Sequence, residues 1–414
     1  MYLSTTRAAD RPATARRAAG RVSGTVVGLG LVSLVTDLSA EMVTAILPLY
    51  LVYRLGVGYA ALGAIDGLYT GGTAVLRIAG GYLADRLGRP RAVAAVGYGL
   101  SALTKLALPA AGGSVAGIGM AIAVDRAGKG IRTAPRDAMI TAATPPDLLG
   151  RAFGVHRALD TAGALLGPLL AFALVAWTAG AGYDAVFGVS FCLGLVGLFV
   201  LLFLVPMPGR VAAPGPPPGP SAALAALRGA APRRLIGGAA LLGLCTVGDM
   251  FLYLAVQQRF ALPTGVLPLL PLGTALTFML AAAPVGRLAD RVGRWRVFLA
   301  GHGLLVVAYL LLAGLPGWPV ALLALGCHGL FYAATDGVLM AHAATLVPAS
   351  VRATGLSAVQ TAQAVARAGG ALAFGLLAQY GGLRAAFVLF ALALVGALAA
   401  AGGLGRARTA EAAR

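Results

Sequence analysis

The chain carries a cluster of charged residues within an apolar part of its sequence. Six of the thirteen residues from Asp125 to Asp137 are charged, although apolar segments flank this stretch. At helical spacing, four cationic side chains fall near one face: Arg126, Lys129, Arg132 and Arg136. Charges at membrane depth are costly, so they normally face a water-filled cavity or an oppositely charged partner. The stretch therefore predicts a helix face along a transport path, with a basic wall suited to an anion.

The two ends of this stretch suggest different roles. Arg126 and Lys129 lie deeper in the predicted membrane and are the candidate cavity residues. Three residues lie nearer the cytoplasmic end and are candidate gate residues: Arg132, Arg136 and Asp137. Asp85 is the expected partner of the gate arginines. The open alternative is that neighbouring aspartates neutralise all of these cations in structural pairs.

Two acidic residues lie in an earlier apolar segment. Asp37 and Glu41 are four residues apart and therefore share one face of a helix. Mutual repulsion and burial both disfavour ionisation, so one of them could carry a proton near neutral pH and serve proton coupling. The competing interpretation is an ion pair of one carboxylate with Arg126 or Lys129. Both can hold, because a proton that breaks such a pair changes the balance between two conformations.

The second half of the chain repeats this distribution of charge. Asp249 is placed in its half much as Asp37 is, and Asp336 corresponds to Asp137 with a small shift. Together with Arg367, these two acids are predicted to line a substrate cavity. Eight of the fourteen acidic residues fall within predicted spans: Asp37, Glu41, Asp66, Asp125, Asp137, Asp160, Asp249 and Asp336. Stability alone gives no reason for so many intramembrane acids.

The composition places these charges in a membrane protein. Of 414 residues, 59% are hydrophobic and 11% are charged, whereas soluble domains carry about 25% charged residues. Apolar runs of about 20 residues without alternation predict transmembrane helices rather than a β-barrel. The net charge of +18 does not indicate nucleic-acid binding, because the arginines occupy short polar turns and a linker rather than a soluble basic domain.

Twelve spans are predicted, which makes an all-α integral membrane protein with two pseudo-symmetric six-helix bundles. The spans are placed at 24–52, 58–84, 92–110, 114–142, 150–177, 183–206, 233–258, 264–288, 295–314, 317–346, 352–378 and 382–403. The predicted domains are a tail at 1–23, a bundle at 24–206, a linker at 207–232, a bundle at 233–403 and a tail at 404–414. Basic residues concentrate in the loops of one side, so both termini are expected in the cytoplasm and the chain in the inner (plasma) membrane.

A duplicated motif supports this division. The segment from Gly81 to Arg91 reads GYLADRLGRPR and recurs 205 residues later, from Gly286 to Arg296, as GRLADRVGRWR. A second pair, GRAFG and VRATG, recurs at an offset of 201 residues. Each motif has the same place in its half. Two parallel repeats related across the membrane normal are a known architecture of transporters, with the substrate site at the midplane between the halves.

The duplicated motif, G-x-L-A-D-R-x-G-R-x-R, resembles the loop motif of the major facilitator superfamily. With twelve spans and a central linker, the resemblance covers essentially the whole chain. Residues 31–50 also resemble a prokaryotic subgroup whose members largely lack an assigned substrate. In the superfamily the motif latches the cytoplasmic gate and does not bind substrate. The resemblance implies that role for the matching positions: Gly81, Asp85, Arg86, Gly88, Arg89, Gly286, Asp290, Arg291, Gly293 and Arg294.

The fourth span resembles a second motif of the superfamily, an arginine followed by a polar residue and a glycine, which is found in many proton-coupled members. The matching residues here are Arg126, Lys129 and Gly130. The extra charge of Lys129 and Arg132 departs from that motif. Because of these additional positive charges, we expect this face of the fourth span to bind an anion.

The fifth span resembles a third motif, which is associated with exporters that exchange substrate for protons. The matching residues are Gly163, Gly167 and Pro168, while the downstream glycine pair of that motif is absent. Small residues four apart let helices pack closely, and a proline kinks a helix. Plain packing therefore stays open as the alternative.

These observations predict a secondary active transporter that works by alternating access and is not an enzyme. The sequence contains no GxxxxGK[ST] motif, metal-ligand spacing or nucleophile–histidine arrangement, so neither cofactor nor metal is expected. The leading expectation is proton-coupled export of a small organic compound, such as a drug or an anionic metabolite, by a monomer in the lipid bilayer. The alternatives are proton-coupled uptake of an organic anion, and a non-transporting membrane sensor or scaffold on the same fold.

Overall fold

The computed structural model describes residues 23–87, 89–145, 149–178, 183–206, 228–314, 317–347 and 352–412. Throughout these ranges the chain forms helices joined by short turns and contains no strand. The all-α class predicted from the apolar runs is therefore confirmed. The predicted tail at 1–23, apart from Ser23, and most of the predicted linker at 207–232 lie outside the described residues.

In its described residues, the first half contains six helices whose bounds follow the predicted spans within a few residues. They are α1 (Gly24–Leu49), α2 (Tyr59–Leu87), α3 (Pro90–Ala110), α4 (Val115–Ala142), α5 (Leu149–Trp177) and α6 (Tyr183–Phe199). Helices α1 and α6 each continue into a π-helical turn, at Tyr50–Arg54 and Val200–Leu204. Ser23 and Ser114 are the N-cap residues of α1 and α4, because their hydroxyls accept hydrogen bonds from backbone N–H groups of the first turn.

The second half follows the same order, with two departures from the predicted spans. Its elements are α7 (Ala230–Leu244), α8 (Asp249–Arg259), a 3-10 segment (Thr264–Leu269), α9 (Leu270–Val292), α10 (Arg294–Gly314), α11 (Trp318–Leu346) and α12 (Arg352–Ala412). The seventh span is divided into α7 and α8, because the backbone leaves the helical conformation between Leu244 and Asp249. The last two spans form one run, α12, which is interrupted at Gly382, where φ is 78°.

Nine helical stretches in the described ranges are long and apolar enough to cross a membrane. One of them, Ala358–Gly403, has 46 residues. That is about twice one span, since a helix rises about 1.5 Å per residue and the hydrocarbon core is about 30 Å thick. Helices α2 and α4 are not among the nine, and the charges between Asp125 and Asp137 explain why α4 is not. The number of twelve spans stays a prediction.

The two halves use the same helix pairings. In the first half α1 packs against α5, α2 against α4, and α3 against α4. In the second half α7 packs against α12, α9 against α11, and α10 against α11, which is the same order. This repetition is the pseudo-symmetry that the duplicated motif predicts. Trp177, Phe203 and Tyr380 are exposed to 85%, 69% and 88%, as expected on a surface that faces lipid.

One contact between the halves consists of residues with almost no side chain. A methyl group added to Gly63 of α2 would lie 2.5 Å from the backbone oxygen of Ala371 in α12, and one added to Gly375 of α12 would overlap the backbone of α2. Only glycine permits helices to approach this closely. We call the contact formed by Gly63, Gly67, Ala371 and Gly375 the glycine seam.

Candidate functional site

A buried cluster of charged residues connects α3 and α4. One carboxylate oxygen of Asp125 accepts a hydrogen bond from Lys105 Nζ at 2.7 Å. The other accepts hydrogen bonds from Arg126, whose Nε lies 2.9 Å away. The Arg126 guanidinium also lies 3.8 Å from the centre of the Tyr69 ring. We call Lys105, Asp125 and Arg126 the first-half cluster, and all three side chains are at least nine-tenths buried.

The expected pairing of Arg126 with an α1 carboxylate is not observed. The reason is that the carboxylate of the first-half cluster already holds its guanidinium. Asp37 faces Arg132 instead, with 3.8 Å between Asp37 Oδ1 and Arg132 Nη2. The Arg132 guanidinium also lies 4.4 Å from the centre of the Tyr98 ring. Arg132 thus contacts Asp37 and Tyr98 within the first half, and its predicted role at the cytoplasmic gate stays a prediction.

Arg126 and Lys129 border a small pocket within the first half. Its volume is about 10 Å³, which leaves room for about one water molecule. Its polar lining consists of Thr36, Ser39, Tyr98, Ser101, Lys105, Asp125, Arg126, Lys129 and Arg132. The basic face of α4 therefore points into one bundle, and the described residues do not place it on a cavity between the halves.

Arg136 belongs to a second polar group, on α4 and α5. It lies 3.0 Å from Asp137 and 4.0 Å from Asp160. Arg157 lies 3.0 Å from the other oxygen of Asp160. The side chain of Asp85 lies outside the described residues, so its predicted contact with the gate arginines stays a prediction.

The two copies of the loop motif are described to different extents. In the second copy, Arg294 Nη2 lies 2.8 Å from Asp290 Oδ1, and Arg294 Nη1 donates to a backbone oxygen of α11 at 3.0 Å. Gly293, between α9 and α10, has a φ of 104°, which L side chains rarely adopt. The other motif positions with described side chains are Arg89, Gly286 and Arg291. In the first copy, the side chains at 77–86, which include Gly81, Asp85 and Arg86, and all of Gly88 lie outside the described residues.

Helix α5 packs against α1 through the small residues of the fifth-span motif. A methyl group on Gly163 would overlap the backbone of α1, and one on Gly167 would lie 2.7 Å from Glu41 Cβ. Pro168 follows along α5 and borders the cavity between the halves. These residues therefore set how closely α5 approaches the face of α1 that carries Glu41.

The second half contains a hydrogen-bonded chain of three polar side chains. The Tyr332 hydroxyl donates to Asp249 Oδ1 at 2.7 Å and accepts from Arg367 Nη2 at 2.9 Å. His328 Nε2 lies 3.4 Å from the same Asp249 oxygen. We call Asp249, Tyr332 and Arg367 the second-half cluster. Sequence reasoning missed Tyr332 and His328, although their spacing of four residues places both on one face of α11.

The break between α7 and α8 brings backbone groups of the seventh span into the interior. The Tyr309 hydroxyl accepts a hydrogen bond from Val247 N at 2.6 Å and lies 3.4 Å from the Cys245 oxygen. A helix broken at membrane depth needs such partners, because no water reaches its freed backbone groups. Gly248 followed by Asp249 matches the preferences of a helix N-terminus and is the sequence signal of the break.

A cavity of about 280 Å³ lies between the two halves. Its polar and proline lining consists of Glu41, Thr44, Pro48 and Pro168 from the first half and Asp249, Tyr253, Pro271, Thr274, Tyr332 and Asp336 from the second. Among the described lining residues are three carboxylates, of Glu41, Asp249 and Asp336, and neither lysine nor arginine. The charged residues of the described lining are therefore acidic, unlike those of the basic pocket inside the first half, and Arg367 contacts this lining at the Tyr332 hydroxyl.

The halves are joined at the end where α1 and α8 finish. The Tyr53 hydroxyl donates to Gln257 Oε1, and the Tyr59 hydroxyl donates to Gln258 Oε1 at 3.2 Å. Gln379 of α12 accepts from a backbone N–H of α2 at 3.5 Å. We call these five residues the closed end, because each contact joins one half to the other.

Two pseudo-symmetric helical bundles around a polar cavity that is closed at one end define a membrane transport protein. The family model of the Major Facilitator Superfamily matches residues 29–282 and 267–413. The chain therefore belongs to the Major Facilitator Superfamily, and it is a transporter rather than an enzyme.

Relatives and solved structures agree with this assignment. An uncharacterized MFS-type transporter of Methanocaldococcus jannaschii is 29% identical over 353 residues, which are 82% of this chain and 85% of that protein. A mutant of the nucleoside transporter NupG superposes with a TM-score of 0.80 at 13% identity, over 92% of this chain and 99% of that chain. A POT family transporter in complex with 5-aminolevulinic acid superposes with a TM-score of 0.75 at 15% identity, over 90% of this chain and 94% of that chain. At these identities, the structures establish the fold alone.

Proposed function

We propose that this chain is a proton-coupled transporter that exports a small organic compound by alternating access. The observation that carries the proposal is the central cavity, where Glu41 of the first half meets Asp249 and Asp336 of the second. Intramembrane acids are costly and occur where ions or substrates pass. The sequence contains no ATP-binding motif, so an ion gradient is the energy source that fits.

The cavity supports a substrate that carries a positive charge. The anion expected from the sequence depends on Arg126 and Lys129 facing the substrate, and both border the small pocket of the first half instead. Three carboxylates, without a described lysine or arginine in the lining, attract a cation. A cation and protons compete for the same carboxylates, and this negative coupling is what an exchange of one for the other requires.

The predicted proton-coupling and substrate-cavity residues divide into three groups. Glu41 is the proton-coupling residue that the geometry supports, because it borders the cavity, whereas Asp37 faces Arg132. Asp249 and Asp336 hold the substrate, and Arg367 acts on Asp249 through the Tyr332 hydroxyl. Of the remaining cations, Arg126 acts by holding α4 in place through Asp125, and Lys129 borders the pocket of the first half.

The closed end is proposed to face the cell exterior, with both termini in the cytoplasm and the chain in the inner membrane. The turns at the opposite end carry five arginines, as the positive-inside rule requires of a cytoplasmic face. They are Arg89, Arg91, Arg291, Arg294 and Arg296. The cavity is complete within one chain, which supports action as a monomer.

Proteoliposomes with an imposed pH gradient test this function. The probe is tetraphenylphosphonium, an organic cation, and valinomycin with equal potassium on both sides holds the membrane potential at zero. Exchange for protons predicts that vesicles with an acidic interior accumulate the probe and release it when a protonophore is added. Glu41→Gln should lower the initial rate by about tenfold or more. The control, Asp184→Asn, removes an exposed carboxylate of α6 and should leave the rate unchanged. Equal uptake with and without the gradient would overturn proton coupling.

A further inference from the structure

Asp66 on α2 is a buried carboxylate that has no part in the function proposed above. It is exposed to only 3%, and its Oδ2 atom has no hydrogen-bond partner in the described part of the chain. The side chain crosses the interface and ends against Gly248, in the break between α7 and α8. A methyl group on Gly248 would overlap Asp66 Oδ2. The carboxylate of one half therefore fills the space that a glycine of the other half leaves free.

The charged groups that face Asp66 from the second half are Asp249 and Arg367. Asp249 adds a second negative charge beside Asp66. Arg367 is already engaged, because it donates to the Tyr332 hydroxyl at 2.9 Å, and that hydroxyl donates to Asp249 at 2.7 Å. The facing cation is therefore shared with the other carboxylate, and it donates no hydrogen bond to Asp66 Oδ2.

Among the described side chains of the first half, no free cation faces Asp66 either. From α4, Arg126 reaches α2 at the Tyr69 ring, but Asp125 binds its guanidinium. An ionised carboxylate at Asp66 would be shielded from water and would lack a donor at Oδ2, which is a costly arrangement. A protonated carboxyl group removes that cost. Separation of the halves at the closed end also removes it, because water then reaches the side chain.

The inference rests on the proposed function and adds a second proton site to it. We propose that Asp66 binds a proton when the halves close over it and releases that proton when they separate at the closed end. The proton comes from hydronium on that side of the membrane, and the carboxylate becomes a neutral carboxyl group without any other bond changing. Because the closed form binds the proton more tightly, acidic pH favours closure and alkaline pH favours separation.

Distances between spin labels across the closed end test this proposal. The labels are placed at Tyr59→Cys and Gln258→Cys, since the native side chains are hydrogen-bonded across the interface at 3.2 Å. The native cysteines are first replaced by alanine, and they are Cys192, Cys245 and Cys327. In lipid nanodiscs, we expect one short distance at acidic pH and a second, longer distance that grows as the pH rises.

Two variants should move this equilibrium in opposite directions. Asp66→Asn keeps the shape of the neutral carboxyl group and cannot ionise, so the short distance should persist at every pH. Gly248→Ala places a methyl group in the space of the carboxylate, so the longer distance should dominate at every pH. The control, Asp184→Asn, should keep the response of the unmodified chain.

Several outcomes would overturn the proton site. One is that the unmodified chain shows the same distances at all pH values. Another is that the distances in the Asp66→Asn chain respond to pH as they do in the unmodified chain. If Asp66→Asn does not fold, a Gly248→Ala chain that stays closed at every pH rejects the proposal. The measurement needs no substrate. If Asp66→Asn abolishes the response of the distances to pH and the unmodified chain shows no gradient-driven flux, the proposed function is rejected and the proton site is kept. If the unmodified chain shows flux but Asp66→Asn leaves the response of the distances to pH unaltered, the proton site alone is rejected.

Discussion

The two halves of the molecule organise their charged residues in opposite ways. In the first-half cluster, Asp125 binds two cations directly, and all three side chains are buried inside one bundle. In the second-half cluster, Asp249 and Arg367 are joined through the Tyr332 hydroxyl, and Asp249 borders the cavity. A buried ion pair is costly to break because each charge left alone has no water. A carboxylate beside a cavity can change partners. The first-half cluster therefore joins α3 to α4 by direct ion pairs, whereas Asp249 of the second-half cluster is open to the cavity.

The largest effect is expected from Asp125→Asn, which removes the carboxylate that joins the first-half cluster. The substitution leaves Lys105 and Arg126 buried without a carboxylate, so the free energy of unfolding should fall by about 3–5 kcal/mol. Thermal unfolding of the detergent-solubilised chain measures the loss. The matched control is Asp137→Asn on the same helix, whose side chain is 42% exposed, with an expected loss of about 1 kcal/mol or less. Equal losses in the two variants would mean that burial does not distinguish these carboxylates.

Asp249→Asn tests the second-half cluster. Gradient-driven flux of tetraphenylphosphonium should fall by about tenfold or more, because a cavity carboxylate is lost. Its effect on unfolding should be smaller than that of Asp125→Asn, since Asp249 borders a cavity that water can enter. Initial rates in vesicles and unfolding of the same preparations give both quantities. If Asp249→Asn strongly lowers the free energy of unfolding but leaves the transport rate per folded molecule unchanged, Asp249 would serve stability rather than transport.

Tyr332→Phe sharpens the role of the bridging hydroxyl. The ring stays in place, but Arg367 loses its hydrogen bond to the carboxylate chain. A hydrogen bond of this type contributes about 1 kcal/mol, which corresponds to about a fivefold loss of flux. Tyr380→Phe removes a hydroxyl from a side chain that is 88% exposed and is the control, with no change expected. Identical rates in the two variants would show that the bridge does not contribute to transport.

The smallest effect is expected from Arg157→Ala. This residue pairs with Asp160 at 3.0 Å, but its side chain is 79% exposed. A surface ion pair of this kind contributes about 1 kcal/mol or less, because water and salt screen it. Unfolding at low and high salt measures the change. A loss as large as that of Asp125→Asn would show that Arg157 holds α5 through more than this pair.

Much of the fold was predictable because a membrane imposes long apolar helices. The fourth helix illustrates this: the predicted span is 114–142 and the observed helix is Val115–Ala142. The break in the seventh span was missed, because Cys245 to Gly248 is as apolar as its neighbours and hydropathy does not register a change of backbone conformation. The glycine before Asp249 is a weak signal, since glycine is frequent in membrane helices.

The charged partners were predictable only in part. Helical spacing places Arg126 on a face of α4, but it does not say which neighbouring helix lies against that face. Long side chains also fold back, so Arg126 binds the residue directly before it, a contact that spacing rules disregard. Asp249 and Arg367 were predicted to line one cavity; Asp249 borders it, while Arg367 donates to the Tyr332 hydroxyl, a bridge that depends on tertiary packing that one sequence does not reveal.

The glycine seam has a consequence for how heat acts on the transport cycle. Where Gly63 and Gly375 touch, backbone meets backbone across the two halves. Where side chains of two helices interdigitate, several of them must change rotamer before the helices can separate. The rate of that separation falls as the temperature is lowered. A seam without side chains has no rotamers to change. Helices α2 and α12 can therefore roll over each other at the seam without a change of rotamer, so the side-chain contacts of the closed end, rather than the seam, should set how the rate of rocking depends on temperature.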